Sequence, residues 1–181
     1  YEIFRSLDSL KAVKTFEHLD FEKQQEILHK FPFEKIASIL NDISPDDRTR
    51  LFQRLPADQL KKLLGYLTVP ERKVAKQLLE YPKDSIGRLM TPEFISVRPD
   101  WTVEQTLTHV RKHGKDSETL NVIYVVDQQG KLIDDFRIRE ILLAPLRSKM
   151  SELMDNQFVH LNAYDDQETA IKIFKDTDRF A

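Results

Sequence analysis

The sequence predicts a multi-domain fold, in which an all-α superhelical repeat precedes an α/β module and the start of a second copy of that module. Two observations support this prediction. Large apolar residues recur every twelve positions in the first half of the chain, and two segments of the second half align at an offset of 64 residues. We expect the helical domain to span residues 1–80, the first α/β module 81–148 and the beginning of the second module 149–181.

The twelve-residue period is visible in three registers of the first half. They contain Leu19, Phe31, Ile43, Leu55, Leu67 and Leu79; Phe16, Leu28, Leu40, Phe52 and Leu64; and Ile27, Ile39, Leu51 and Leu63. Prolines near the joints, each followed by acidic residues, are typical of helix starts. We predict a helix of about nine or ten residues plus a tight turn, repeated about five times between residues 7 and 80. Helices this short are unstable alone, so they must stack as a solenoid does.

The second half changes its pattern from helical to mixed. Residues 94–97 read as a short strand, and residues 102–113 as a helix capped by Thr102. The β-branched and aromatic run at 122–126 predicts a buried strand. A turn at 127–130 and a strand at 131–136 complete a hairpin, and residues 138–143 form a helix.

The pattern then begins a second time. Residues 89–95 align with 153–159, Val97 aligns with Leu161, and Leu107 with Ile171. The sequence ends at Ala181, before the second copy reaches its hairpin. We therefore predict one complete module and the start of another.

Composition excludes several classes of function. The formal net charge of −2 gives no basis for nucleic-acid binding, and the lack of cysteines excludes disulfides and thiolate sites. The chain has no P-loop and no nucleophile constellation, so we do not expect an enzyme. No apolar run approaches the roughly 20 residues of a membrane helix, so this part taken alone should be soluble. His109 and His113 lie four apart on one helix face, which we interpret as an exposed pair because no third ligand is evident.

Two motifs give the second half a family resemblance. The stretch Leu89-Met90-Thr91-Pro92 and the strand ending in Asp127, followed by a turn at Gly130, resemble a CBS module. The joint at residues 81–92, placed after a twelve-residue helical repeat, is similar to that of the MgtE family of magnesium transporters. The resemblance implies a regulatory domain that senses intracellular magnesium and gates a membrane channel. It also implies a homodimer formed through CBS modules, attached to a transmembrane domain at the cytoplasmic face of the membrane.

The resemblance assigns magnesium ligands to four carboxylates: Asp166, Glu168, Asp178 and Asp46. One family position departs from the pattern, because Lys14 stands where the family has a glutamate, and Glu17 one turn on is the nearest substitute. Asp166 and Asp178 are about 18 Å apart along a helix, so they imply at least two sites. We expect Asp178 to face the helical domain, and Asp166 with Glu168 to face the membrane side. The alternative is that these acids cap their own helices, and one carboxylate can do both.

Many CBS modules bind an adenine nucleotide, and the resemblance places ATP or a similar nucleotide near Arg139 and Glu140. Two positions depart from the usual signature, with Asp134 in place of glycine and Arg137 in place of a hydroxyl residue. An aspartate beside phosphates is repulsive, which disfavours nucleotide binding. The alternative is that Arg139 and Glu140 form a solvated pair on a helix face. The alternative function is a nucleotide-sensing CBS module with a helical protein-interaction platform.

Overall fold

The computed structural model describes residues 2–177, which form two compact units. One unit contains the described residues up to Met90 together with Asn162–Ile173. The other contains Thr91–Leu161 and, at the end of the described chain, residues 174–177. Among the described residues, no helix is both long enough and apolar enough to cross a membrane. The boundaries that we place after residues 80 and 148 stay predictions.

The first unit is built from short helices at a constant spacing. They are α1 (Glu2–Ser6), α2 (Ser9–Glu17), α3 (Phe21–Lys30), α4 (Phe33–Asp42), α5 (Pro45–Phe52), α6 (Ala57–Tyr66) and α7 (Val69–Glu80). From α2 to α7, each helix begins twelve residues after the previous one. The predicted period is confirmed, and the number of full repeats is six rather than about five.

Caps and apolar registers explain why these segments fold as they do. The carboxylates of Asp8 and Asp20 each accept a backbone N–H in the first turn of the following helix at 2.9 Å. The register that contains Ile27, Ile39, Leu51 and Leu63 is buried at all four positions. The helix contacts include those of α2 with α4, α4 with α6 and α5 with α7, so next-but-one helices pack together. Each short helix is therefore stabilised by its neighbours rather than by itself.

One charged side chain lies inside this helical core. Arg48 on α5 is fully buried, and its Nη1 donates to the carbonyl of Leu40 at 3.0 Å. Its Nη2 donates to the carboxylate of Glu71 at 2.5 Å. The guanidinium therefore links three helices, α4, α5 and α7.

The second unit contains a three-stranded sheet with helices. Its elements are β1 (Ser96–Val97), α8 (Val103–His113), β2 (Val122–Val126), β3 (Leu132–Arg137), α9 (Ile138–Leu143) and α10 (Met150–Leu153). The strand order is β1-β2-β3, with β1 parallel and β3 antiparallel to β2. The predicted order of elements is confirmed, although β1 is shorter than expected. The strand consists of Ser96 and Val97, and the carbonyl of Ile95 accepts the N–H of Tyr124 at 3.0 Å. Phe94 is half exposed and packs its ring on Tyr124.

A buried hydroxyl group in α8 leads to a stability prediction. Thr106 is fully buried, and its Oγ1 has no hydrogen-bond partner among the described residues. Thr106→Val keeps the shape and removes the desolvated hydroxyl, so we expect it to stabilise this unit by about 1 kcal/mol. Urea unfolding followed by fluorescence of Trp101, the one tryptophan, measures the change. Thr108→Val is the matched control, because that exposed hydroxyl already donates to a backbone carbonyl at 2.9 Å and should give no gain. A loss of stability in Thr106→Val would contradict the prediction.

The segment that leads into α10 is bound to the residues just before α8. The N–H of Met150 donates to the carbonyl of Trp101 at 2.8 Å. The N–H of Ser151 donates to the carbonyl of Pro99, also at 2.8 Å. These bonds place the entry of the second module copy against the helix start of the first.

The same two hydrogen bonds recur 64 residues away, with the roles of the two copies exchanged. The N–H of Ile86 donates to the carbonyl of Asp165 at 2.9 Å, and that of Gly87 to Ala163 at 2.8 Å. Ile86 and Gly87 belong to a 3₁₀ turn, Ile86–Arg88, just after the helical repeat. The acceptors precede α11 (Gln167–Thr177). The offset inferred from sequence is thus present as a reciprocal exchange of hydrogen bonds.

Candidate metal centre

The predicted ligand Asp166 is the cap of α11. Its Oδ1 accepts the backbone N–H of Thr169 at 2.8 Å, and its side chain is exposed, as is that of Glu168. Hydrogen bonds from the backbone N–H and the side chain of Thr169 lower the pKa of Asp166, so it remains a carboxylate at neutral pH.

The equivalent position in the first copy shows that the cap does not require a charge. Thr102, 64 residues earlier, accepts the N–H of Gln105 at 3.2 Å and forms a capping box with that side chain. A neutral hydroxyl therefore performs the same local task at the start of α8. Carboxylate caps also occur in this chain at Asp8 and Asp20, so capping and a ligand role are compatible at Asp166.

The backbone around Asp166 is attached to the end of the helical repeat. Ser85 and Asp166 form an antiparallel bridge beside the two hydrogen bonds of Ile86 and Gly87. The 3₁₀ turn that contains those two residues also contacts α5 and α7. Helix α5, which contains Asp46, and the segment just before α11, which contains Asp166, therefore contact the same connection. This link was not predictable from the sequence, because the offset of 64 aligns two segments without indicating which segments pair.

The predicted ligand Asp46 has an unusual environment in the first turn of α5. Its side chain is 16% exposed, and Oδ2 lies 3.9 Å from Nη2 of Arg50. Its Oδ1 is buried and has no hydrogen-bond partner among residues 2–177. An unpartnered carboxylate oxygen is unfavourable unless water or a cation satisfies it. This oxygen donor fits a hard, hydrated cation such as magnesium.

Glu17, the proposed substitute at the site where Lys14 departs from the family, lies close to the start of α5. Its Oε1 accepts the N–H of Ser44 at 3.4 Å, and its Oε2 lies 3.9 Å from Nζ of Lys14. Glu17 and Asp47 also line a cavity of about 210 Å³, together with Arg50 and Arg54. The cavity is therefore lined by both acidic and basic side chains. That Glu17 replaces the family's glutamate as a ligand stays a prediction.

The remaining ligand prediction, Asp178, lies outside the described residues. Within the described part, no group of three or more His, Cys, Asp or Glu side chains is arranged to hold an ion. The rings of His109 and His113 are 4.5 Å apart, with Trp101 beside His109. Both histidines are partly buried rather than exposed as predicted. Magnesium keeps several waters and is commonly bound by one or two carboxylates. Isolated carboxylates are therefore better ligands for magnesium than for transition metals.

The predicted nucleotide residues lie at the start of α9. Arg139 and Glu140 are both exposed, and Oε2 of Glu140 accepts the backbone N–H of Arg137 at 2.9 Å. That bond satisfies one of the free amide groups at a helix start. Glu140 thus stabilises the start of α9 whether or not it also contacts a ribose.

Asp134 has a role that the sequence argument did not anticipate. Its side chain is buried, and Oδ2 accepts the N–H groups of Asp155 and Asn156, each at 3.1 Å. Its Oδ1 accepts the N–H of Asp135 at 2.9 Å. The carboxylate is therefore stabilised by three backbone donors, and its repulsion of phosphates stays a prediction. Asn156 has a positive φ of 57°, so Asp134 also holds a constrained turn.

Comparison with known protein families gives two consecutive matches. The profile of the MgtE intracellular N domain matches residues 1–84, and that of the CBS domain matches residues 86–147. The chain is 32% identical to the magnesium transporter MgtE of Thermus thermophilus, over 98% of this chain and 40% of that protein. It is 25% identical to the MgtE of Bacillus subtilis, over 90% of this chain and 36% of that protein. The chain thus spans well under half the length of these relatives.

Solved structures give the same match. A crystal structure of the cytosolic domain of the Mg²⁺ channel MgtE in complex with ATP has a TM-score of 0.92 and 32% identity, with 98% of this chain and 73% of that chain covered. The soluble part of a magnesium transporter has a TM-score of 0.82 at 22% identity, over 98% of this chain and 80% of that chain, which supports the fold alone. Sequence, domain order and fold agree, and the chain belongs to the MgtE family.

Proposed function

We propose that this chain is the regulatory part of a magnesium transporter, which senses magnesium and gates the membrane channel. The family membership supports this, because the curated relatives are magnesium transporters. The observation that carries the proposal is the buried Oδ1 of Asp46, which has no partner among the described residues. We assign Asp46, Asp166, Glu168 and, beyond the described residues, Asp178 as candidate ligands.

The mechanism follows from the charges of these residues. Asp46 on α5 and Asp178, which we assign to the side of the helical domain, repel one another when no ion is bound, and this repulsion favours separation of the elements that contain them. When bound, magnesium supplies positive charge that offsets the repulsion. The chain thus has two arrangements whose balance depends on ion concentration, as a gating element requires.

Asp166→Thr tests the sensor directly. Threonine is the residue that caps α8 at the equivalent position, so the helix start should remain intact while the charge is lost. We expect magnesium affinity, measured by calorimetry at millimolar ion, to fall about tenfold because a hydrated site has few charged ligands to lose. Circular dichroism should be unchanged.

Asp58→Asn is the matched control for this experiment, because Asp58 is an exposed first-turn acid of α6 outside the proposed sites. It should bind magnesium as the unsubstituted protein does. If millimolar magnesium neither binds nor increases resistance to protease in the unsubstituted protein, the sensor proposal is wrong. If Asp166→Thr binds normally, Asp166 is a cap only.

A second candidate ligand is ATP or a related adenine nucleotide. The supporting observation is the likeness to a cytosolic domain solved with ATP, at a TM-score of 0.92 over nearly the whole chain. We assign Arg139 to a phosphate and Glu140 to the ribose, since both are exposed at the start of α9. Calorimetry with ATP and AMP, each with and without magnesium, separates the two ligands.

Two protein partners belong to this proposal: a second copy of the chain and a transmembrane domain of the same protein. The second copy is supported by the exposed leucines in and after α9: Leu142 at 61%, Leu143 at 76% and Leu146 at 53% exposure. Such an apolar patch is typical of an interface. Attachment to a membrane domain would place this part at the cytoplasmic face of the membrane. Sedimentation of Leu143→Lys against the unsubstituted protein tests the homodimer.

A further inference from the structure

The segment between α7 and the CBS module folds tightly upon itself. Nε of Arg88 donates to the carbonyl of Tyr81 at 2.6 Å, and Oγ of Ser85 donates to that of Pro82 at 2.7 Å. Ser85 and Arg88 are buried, and Asp84 has a positive φ of 64°. These contacts make the segment a compact connector rather than a flexible linker.

Gly87 is essential to the shape of this connector. A Cβ atom at Gly87 would lie 2.4 Å from Cγ of Tyr81, far inside van der Waals contact. The tyrosine ring therefore lies directly over the glycine backbone. The same ring packs edge-on against Tyr164, with centroids 5.4 Å apart. Tyr164 precedes Asp166 by two residues.

This aromatic contact exists at one of the two exchanged helix starts. At the other helix start, near α8, the offset of 64 residues places Pro145 at the position of Tyr81, Ser151 at that of Gly87 and Asp100 at that of Tyr164. None of these three residues is aromatic, although the backbone hydrogen bonds are the same. The ring contact is therefore additional to what the module fold requires, and it occurs on the side that touches the helical repeat.

We propose that Tyr81, Gly87 and Tyr164, here called the aromatic clasp, are positioning residues that couple the start of α11 to α5. The clasp and the hydrogen bonds of Ile86 and Gly87 hold the start of α11 on the 3₁₀ turn, which in turn contacts α5. An ion at Asp166 and Glu168 then stabilises α5 through this turn. The inference rests on the proposed magnesium sensing.

Hydrogen exchange with and without magnesium tests this coupling. All variants carry Asp46→Asn, because this removes the proposed ligand on α5 and leaves only an effect transmitted from α11. At an ion concentration about ten times Kd, linkage predicts about tenfold slower exchange at the start of α11, at Ile86 and Gly87, and in α5. Adding Gly87→Ala should leave the slowing at α11 intact and reduce that of α5 to less than about twofold. Adding Gly65→Ala instead is the matched control, because nothing lies within 4 Å of its Cβ, and the response of α5 should persist.

Tyr164→Ser provides a second variant without a steric clash, since Tyr164 is 70% exposed. It should also uncouple α5 while calorimetric magnesium affinity stays within about twofold. If magnesium still slows hydrogen exchange in α5 in both Gly87→Ala and Tyr164→Ser, the clasp proposal is wrong. It is also wrong if, in the Asp46→Asn background alone, magnesium slows exchange at the start of α11 but not in α5. Absence of any magnesium effect in the unsubstituted protein is a different result, because it rejects the sensor proposal itself.

Discussion

Glu71→Ala should lower the free energy of unfolding of the helical unit by about 3–5 kcal/mol, because it leaves a buried cation unpaired. Arg48 is fully buried, whereas the side chain of Glu71 is 29% exposed. Without the carboxylate, the fully buried guanidinium keeps only its bond to the carbonyl of Leu40. Urea unfolding followed by circular dichroism at 222 nm measures the loss. Trp101 fluorescence reports the other unit, which should change little.

The two partners of this ion pair should respond unequally. Arg48→Met removes the buried charge and fills much of its volume, and Glu71 can then turn its exposed carboxylate to water. We expect a loss of about 1 kcal/mol, because replacing a buried ion by an apolar side chain is often close to neutral. Arg48→Met combined with Glu71→Ala should regain most of the stability lost in Glu71→Ala. Equal losses in the two single variants would contradict this account.

The helical unit was predictable because its physical constraint is visible locally. Helices of eight to twelve residues cannot stand alone, so each must present apolar residues at fixed positions to its neighbours. This requirement produces a period that can be read from Leu19 to Leu79 without knowing any contact. The number of repeats was harder to predict. The first full helix, α2, contains only one residue of those registers, Phe16, which lies near its end.

The contacts made by isolated polar residues were not predictable. Arg48 meets Glu71 across 23 residues, and Asp134 meets Asp155 across 21, with no local signal for either pair. Arginine side chains are mostly exposed in proteins, so the burial of Arg48 has no signal in the sequence. Only the folded chain shows that the Arg48 guanidinium pairs with the Glu71 carboxylate, and that the Asp134 carboxylate accepts the backbone N–H of Asp155.

The candidate site was predictable in residue type but not in arrangement. The acids at the starts of α5 and α11 could be identified, together with the alternative that they are caps. For Asp166 the structure supports the cap directly, and Thr102 at the equivalent position shows that a neutral residue can perform the same task. The unpartnered oxygen of Asp46 depends on packing around α5, which no sequence pattern encodes.

Asp134→Asn should destabilise the second unit by about 3 kcal/mol, because its amide group would face N–H donors instead of accepting from them. The buried carboxylate binds three backbone N–H groups, and an asparagine oxygen can replace only one of its two acceptor atoms. Urea unfolding followed by Trp101 fluorescence measures the change. Hydrogen exchange at Asp155 and Asn156 should accelerate, since these amides lose their acceptor.

Asp135→Asn is the matched control, because this neighbouring side chain is partly exposed and its loss of charge should cost less than about 1 kcal/mol.

The same pair of variants distinguishes the two interpretations of Asp134. If the carboxylate mainly repels nucleotide phosphates, Asp134→Asn will bind ATP more tightly with little loss of stability. If it mainly holds the turn at Asp155 and Asn156, stability will fall and ATP affinity will not rise. We expect the second result, because a carboxylate that accepts three backbone N–H groups presents little uncompensated charge to a neighbouring phosphate.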